Sequence, residues 1–171
     1  MTIHIPAWVE ETLVPVEKLE VHRLGLRHMA VSVFVLRGEE VLLQRRAMGK
    51  YHTPGLWANT CCTHPDWNEA PRDCATRRLR EELGVTGLTP NFRKTVEYRA
   101  EVGNDMIEHE VVDIFVADAT ADLEIAPDPS EVMETRWVLR GALEAWIRRA
   151  PSDFTPWMRI YLERYTGVIF G

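Results

Sequence analysis

The 171-residue sequence predicts an α+β domain, and three observations lead there. Runs of β-branched or apolar residues at 29–36, 41–44, 92–102, 108–117 and 134–139 are bounded by turn residues, as strands are. Segments with apolar residues at helical spacing fall among and after them, at 69–83, 141–149 and beyond Pro156. Hydrophobic residues make up 46% of the chain, enough for a domain of this size to bury a core. A single domain over 1–171 is expected, with 1–20 as an N-terminal arm and 21–171 as the core.

Taken in order, the first 20 residues mix acidic and apolar side chains around Pro6 and Pro15 and read as an extended arm or short hairpin. His22 and His28 stand just before the first core strand, and each alone reads more readily as a surface or capping histidine than as a ligand. Met29 to Leu36 and Val41 to Gln44 are joined by Arg37-Gly38-Glu39-Glu40, a hairpin signal. The basic run Arg45-Arg46-Ala47-Met48-Gly49-Lys50 follows. It is either a sheet edge guarded against aggregation or a clamp for phosphate.

The next segment carries Cys62 and His64 and then a charged helix, expected from about Glu69 to Leu83. Asp66 or Asn68 can cap it, Pro71 suits its first turn, and Gly84 can supply the left-handed residue that ends it. Ala75, Leu79 and Leu83 form a narrow apolar stripe, while Arg77 and Glu81, like Arg78 and Glu82, lie one turn apart.

Phe92 to Val102, a Gly103-Asn104 turn and Glu108 to Ala117 make a second strand pair. Val111, Val112, Ile114, Phe115 and Val116 are apolar on both faces, so the second strand is central. Glu108 and Glu110 share one of its faces. Two carboxylates there are unfavourable unless paired or metal-bound, which makes them candidate ligands. Glu134 to Leu139 is a further strand and Gly141 to Arg149 a helix; Thr155-Pro156 starts a closing helix for which Gly167 is the stop. Trp157 falls in its first turn, where core packing is the plain reading.

A net charge of −6 argues against general affinity for nucleic acid, so an anionic ligand must be held by a local cluster of cations. A small phosphorylated molecule fits best. Three cysteines, two of them adjacent, make no disulfide framework, and no basic-then-apolar leader opens the chain. The apolar runs are too short to span a bilayer. A soluble cytoplasmic protein without nucleic-acid or membrane partners is expected, its oligomeric state left open.

Glu69, Arg77, Leu79, Glu81, Glu82, Gly84 and Val85 resemble the fixed positions of the Nudix box. Thr63 stands where that box opens with Gly, and Arg78 where it has a metal-binding Glu. In a Nudix hydrolase, carboxylates at the positions of Arg78, Glu81 and Glu82 gather Mg²⁺ around a diphosphate. A guanidinium weakens such a cluster and adds a bidentate donor for phosphate oxygens. The resemblance thus implies a site changed from cutting a diphosphate to holding one, with Arg78→Ala expected to weaken binding and leave stability little altered.

Across 22–158, the motifs QRRAMGK, TCCTHP, ATRRLREELGV, EYRAE, EHEV and FTPWM together resemble the type I isopentenyl-diphosphate isomerases, a Nudix-fold family. That resemblance implies an α/β/α sandwich around a mixed sheet. It implies isomerisation of isopentenyl to dimethylallyl diphosphate in isoprenoid biosynthesis, by protonation and deprotonation through a carbocation. His22, His28, His64, Glu108 and Glu110 would bind Mn²⁺, Mg²⁺ or a similar divalent ion. Glu82 would hold a second Mg²⁺ with the substrate diphosphate, which Arg46, Lys50 and Arg78 would grip. Cys62 and Glu110, the latter helped by Tyr98, would be the acid/base pair, and Trp157 would face the cation. Cys61 would point away from Cys62, and neither it nor Cys74 would take part. Three other readings are a Nudix-type diphosphate hydrolase, against which Arg78 stands; a nucleophilic hydrolase needing Cys62 and His64 to face each other; and a non-catalytic phosphate-binding module.

Overall fold

The computed structural model describes residues 2–171; Met1 of the expected arm lies outside the described residues. The sheet is built on β3 (Arg27–Arg37), with β8 (Met106–Asp118) parallel to it along one edge, from Arg27 opposite His109 to Leu36 opposite Asp118. Three strands share its other edge in succession. β1 (His4–Val9) meets it at His28, β6 (Cys61–Thr63) pairs with 31–33, and β4 (Glu40–Arg46) follows from the turn at its end. The remaining strands are antiparallel: β2 (Thr12–Glu17) on β1, β5 (Trp57–Ala58) and β9 (Val132–Leu139) on β4, and β7 (Asn91–Gly103) on β8. One parallel pair among antiparallel ones makes the sheet mixed.

Side-chain alternation divides β3 between two cores. Val31, Val33 and Val35 face α2 (Pro71–Leu83), joining Cys74, Ala75, Leu79 and Leu83 of that helix. Ala30 and Phe34 face the other way, with Val112, Ile114 and Val116 of β8. That face is covered by α3 (Arg140–Arg149), α4 (Pro156–Arg164) and α5 (Thr166–Phe170), through Leu143, Trp157, Met158, Tyr161 and Ile169. The result is the expected α/β/α sandwich. Each fully buried Leu, Val or Phe contributes about 1.5–3 kcal/mol.

Three local expectations are corrected. The last three residues expected in the arm, 18–20, instead open a helix, α1 (Lys18–Leu24), that runs on into the core: the Glu17 carboxylate accepts from Glu20 N–H, and Gly25 closes it in the left-handed region at φ 65°. His22 is therefore helical, and His28 lies within β3 rather than before it. Neither Asp66 nor Asn68 caps α2, whose N-cap is Ala70 without a side-chain bond. Glu69 turns back instead, accepting from Asp66 N–H and from Arg77. Finally, Gly167 does not stop the closing helix; α4 ends at Arg164, and Gly167 lies inside α5. Gly84 does end α2, at φ 63°, where a Cβ would come within 2.7 Å of the Ala126 carbonyl oxygen.

Candidate active site

Strand register brings the site together. Glu108 and Glu110 of β8 share the face of Val112, beneath α4; Glu110 lies opposite His28 on β3 and opposite Tyr98 on β7. Cys62 of β6 sits opposite Ser32. His64 follows that strand, Arg46 ends β4, Lys50 and His52 come from the next loop, and Trp157 is in the first turn of α4. These side chains line one pocket with Lys18, Tyr51, Thr63, Arg78 and Glu82. His22, His28 and Tyr98 stand behind its wall.

The donor set fits a divalent ion. His22 Nδ1 and His28 Nδ1 each lie 2.7 Å from a backbone carbonyl oxygen, of Lys18 and Leu26. A carbonyl only accepts, so both protons are on Nδ1 and both Nε2 atoms present lone pairs. The Nε2 atoms of His22, His28 and His64 are buried without a hydrogen-bond partner. Carboxylate oxygens are near: Glu108 Oε1 is 3.7 Å from His22 Nε2, and Glu110 Oε1 is 3.7 Å from His64 Nε2 and 4.0 Å from that of His28. Burial and the neighbouring His22 push His28 down to about 4, and burial with His28 beside it holds His64 well below its usual range. Neutral imidazoles with inward lone pairs are what a metal needs and what an unliganded core would avoid.

The two carboxyls are differentiated. Burial works to raise Glu108, but hydrogen bonding to its oxygens outweighs this and holds the carboxyl well below its ordinary range. Burial and the Glu108 charge push Glu110 well above that range. Tyr98 Oη donates to Glu108 Oε2 at 2.9 Å, not to Glu110.

Cys62 is held as a thiol. Asn59 Nδ2 donates to Val33 O and Cys61 O, which turns Asn59 Oδ1 toward Cys62, where it accepts from Sγ at 2.8 Å. Ser32 Oγ lies 3.3 Å from that sulfur and 2.6 Å from Tyr161 Oη. Burial, with the charges of Glu110 and Glu108, pushes the thiol well up from its usual value. Cys61 points to the opposite face and donates to Glu82 Oε2. Cys62 and His64 do line the same pocket, but no hydrogen bond joins them among the described residues. The nucleophile-and-base contact of a Cys-His hydrolase is therefore not made.

Cations form the rim. Arg46 Nη2 donates to His52 O, and its guanidinium lies 5.3 Å from the Trp157 ring centre. Lys50 Nζ meets Glu131 Oε2 at 2.6 Å. Arg78 contacts Glu81 at 2.8 Å, Glu82 Oε1 at 2.7 Å and Glu131 at 3.4 Å. Glu82 Oε2 accepts from Gln44 and Cys61, so both of its oxygens are engaged.

A model of the NUDIX domain matches residues 26–159. Isopentenyl-diphosphate Delta-isomerase of Cereibacter sphaeroides is 66% identical over 171 residues, covering 100% of this chain and 97% of that one. The chain belongs to the isopentenyl-diphosphate Delta-isomerases of the NUDIX family. Members from Dinoroseobacter shibae and Ruegeria pomeroyi are 62% and 59% identical, covering 95% of each relative's length. A MutT NUDIX hydrolase of Burkholderia pseudomallei aligns with TM-score 0.62 over 82% of this chain and 98% of its own, at 22% identity, a likeness of fold alone.

Lys18, Tyr51 and His52 line the pocket of this isomerase-family chain without having stood out in the sequence. Lys18 looked like one charge in a mixed arm; its place at the fourth residue before His22, on the same helical face, was the available signal. Burial, then Lys50 and Arg78, pushes its ammonium down to about 8. The unfolded chain keeps that proton to about pH 10.4, so charged Lys18 opposes folding below pH 8, and the opposition fades as pH rises from there. Lys18→Met should stabilise the half-buried site by about 2 kcal/mol at pH 7, less at pH 10. Arg78→Ala should do the opposite, losing about 2 kcal/mol by stripping the cation from buried Glu82, where the sequence alone leads to an expectation of little change. Both should weaken diphosphate binding. Urea melts at the two pH values check this; stability losses of equal size in both variants would overturn it.

Proposed function

We propose that this chain isomerises isopentenyl diphosphate to dimethylallyl diphosphate, in a cytoplasm whose reducing conditions suit three free cysteines. The observation that carries the reading is the shared pocket: Cys62, Glu110 and the Trp157 indole on its walls, with Lys18, Arg46, Lys50 and Arg78 gathered beside them. Four cations in a chain of net charge −6 suit a diphosphate, and the buried interior suits a short hydrocarbon tail. All of 1–171 acts as one catalytic unit, since α1 bridges the arm and the core and delivers both Lys18 and His22.

His22, His28, His64, Glu108 and Glu110 would hold Mn²⁺, Mg²⁺ or a similar ion, and Glu82 would hold a second Mg²⁺ with the diphosphate. When bound, such ions supply positive charge that orders the carboxylates and offsets the negative charge of the diphosphate. The chemistry at carbon falls to the chain's own groups. One of Cys62 and Glu110 gives a proton to the terminal alkene carbon, leaving a tertiary cation; the other removes a proton from the carbon on the far side, and the double bond moves. Trp157 presents its π face to the cation, worth about 2 kcal/mol when desolvated. Water is kept out by α4 and the rim.

Arg78 disfavours the hydrolase reading, since it replaces a carboxylate of the box helix. Incubating the protein with isopentenyl diphosphate and Mg²⁺ plus Mn²⁺ tests the choice directly. The allylic isomer should form without release of phosphate, whereas phosphate release without isomer would favour the hydrolase.

A further inference from the structure

His52 has its ring nitrogens wired differently from those of His22 and His28. Where those two rings give the Nδ1 proton to a backbone carbonyl, His52 Nδ1 faces Thr53 Oγ1 at 2.8 Å and Arg46 Nη2 at 3.5 Å. A guanidinium has only protons to offer, and a hydroxyl can rotate to donate. Both neighbours therefore favour a lone pair on Nδ1, which places the proton of the neutral ring on Nε2. That atom is buried and lies 2.8 Å from Glu108 Oε1, oblique to the hydrogen-bonding direction of the ring.

We propose that His52 is a positioning residue for the metal cluster: its Nε2 edge, packed 2.8 Å from Glu108 Oε1, holds that carboxylate in place by close polar contact rather than by an aligned hydrogen bond, and it is not itself a ligand. Glu108 is then fixed from two sides, with Tyr98 Oη on the other oxygen at 2.9 Å. Because Arg46 Nη2 contacts both the carbonyl oxygen and the ring of His52, the same residue ties the phosphate clamp to the metal-binding carboxylate. Outer partners of this kind change metal affinity about 10–100-fold when lost.

The proposal rests on the metal site described above, and Co²⁺ alone separates the two. The full-length protein, His52→Gln and His52→Leu are titrated with Co²⁺, and the bound ion's imidazole count is read by X-ray absorption. The wild type should show three imidazoles. His52→Leu should keep three and bind about 10–100-fold more weakly, and His52→Gln, whose amide still donates, should recover most of that loss. Four imidazoles in the wild type would make His52 a ligand and overturn the proposal, as would unchanged affinity in His52→Leu. If the leucine variant fails to fold, the wild-type count and the glutamine variant still decide. A wild type with no tight Co²⁺ site would remove the metal reading itself.

Discussion

Cys62→Ala and Glu110→Gln should each lose at least about 10²-fold in turnover, the low end for a positioned acid or base. An isolated alkene is so weak a base that protonating it needs a donor aimed at one carbon in a dry pocket. Glu110 is buried in that pocket, opposite His28 and Tyr98 in the strand register. The Cys62 thiol is aimed as firmly, by the Asn59 amide that its neighbours lock in orientation. Cys61→Ala and Cys74→Ala should stay active, because both thiols belong to the core beneath α2. In D₂O the product should carry solvent deuterium. Steady-state rates of the four variants check the assignment, and an inactive Cys61→Ala beside a fully active Cys62→Ala would shift it by one residue.

Removing metal should abolish turnover, and one divalent ion should restore it. His22, His28 and His64 turn unpartnered, buried nitrogens toward two carboxyls, an arrangement that a polypeptide retains at a loss of stability unless an ion satisfies it. His64→Ala should therefore bind metal far more weakly while folding at least as well, since it deletes a buried polar ring. Isothermal titration with Mn²⁺ and assays after exhaustive chelation measure both effects. Full activity in protein with no retained metal would defeat the assignment.

The sheet was legible because strands such as β8 announce themselves twice, by composition and by the two-residue period that puts Glu108 and Glu110 on one face. The box helix was legible from its spacing, and its ion pairs Arg77–Glu81 and Arg78–Glu82 form at 3.0 and 2.7 Å. What stayed hidden was whatever depended on contacts remote in sequence. α1 has seven residues, too few for a period to show, and follows Pro15 closely. His52 sits in a loop with no period at all, and its importance comes from Glu108, far along the chain. The cap of α2 was misread because Glu69 is drawn toward Arg77 by a bidentate ion pair, overriding the local preference of Asn68. Tyr98 registers opposite Glu110 yet bonds Glu108, a choice of side-chain tilt that register does not decide.

The adjacent cysteines point to opposite faces of the sheet, and this bears on how long the catalyst lasts. A catalytic thiol with a vicinal partner could be lost to a disulfide under oxidative stress. Here Cys61 and Cys74 lie in the α2 layer while Cys62 lies in the pocket, so the sheet separates the reacting sulfur from the other two thiols. Its raised pKa adds a second safeguard, because peroxide attacks the thiolate form. The burial that favours the thiol form of Cys62 also slows its first step on the oxidation ladder.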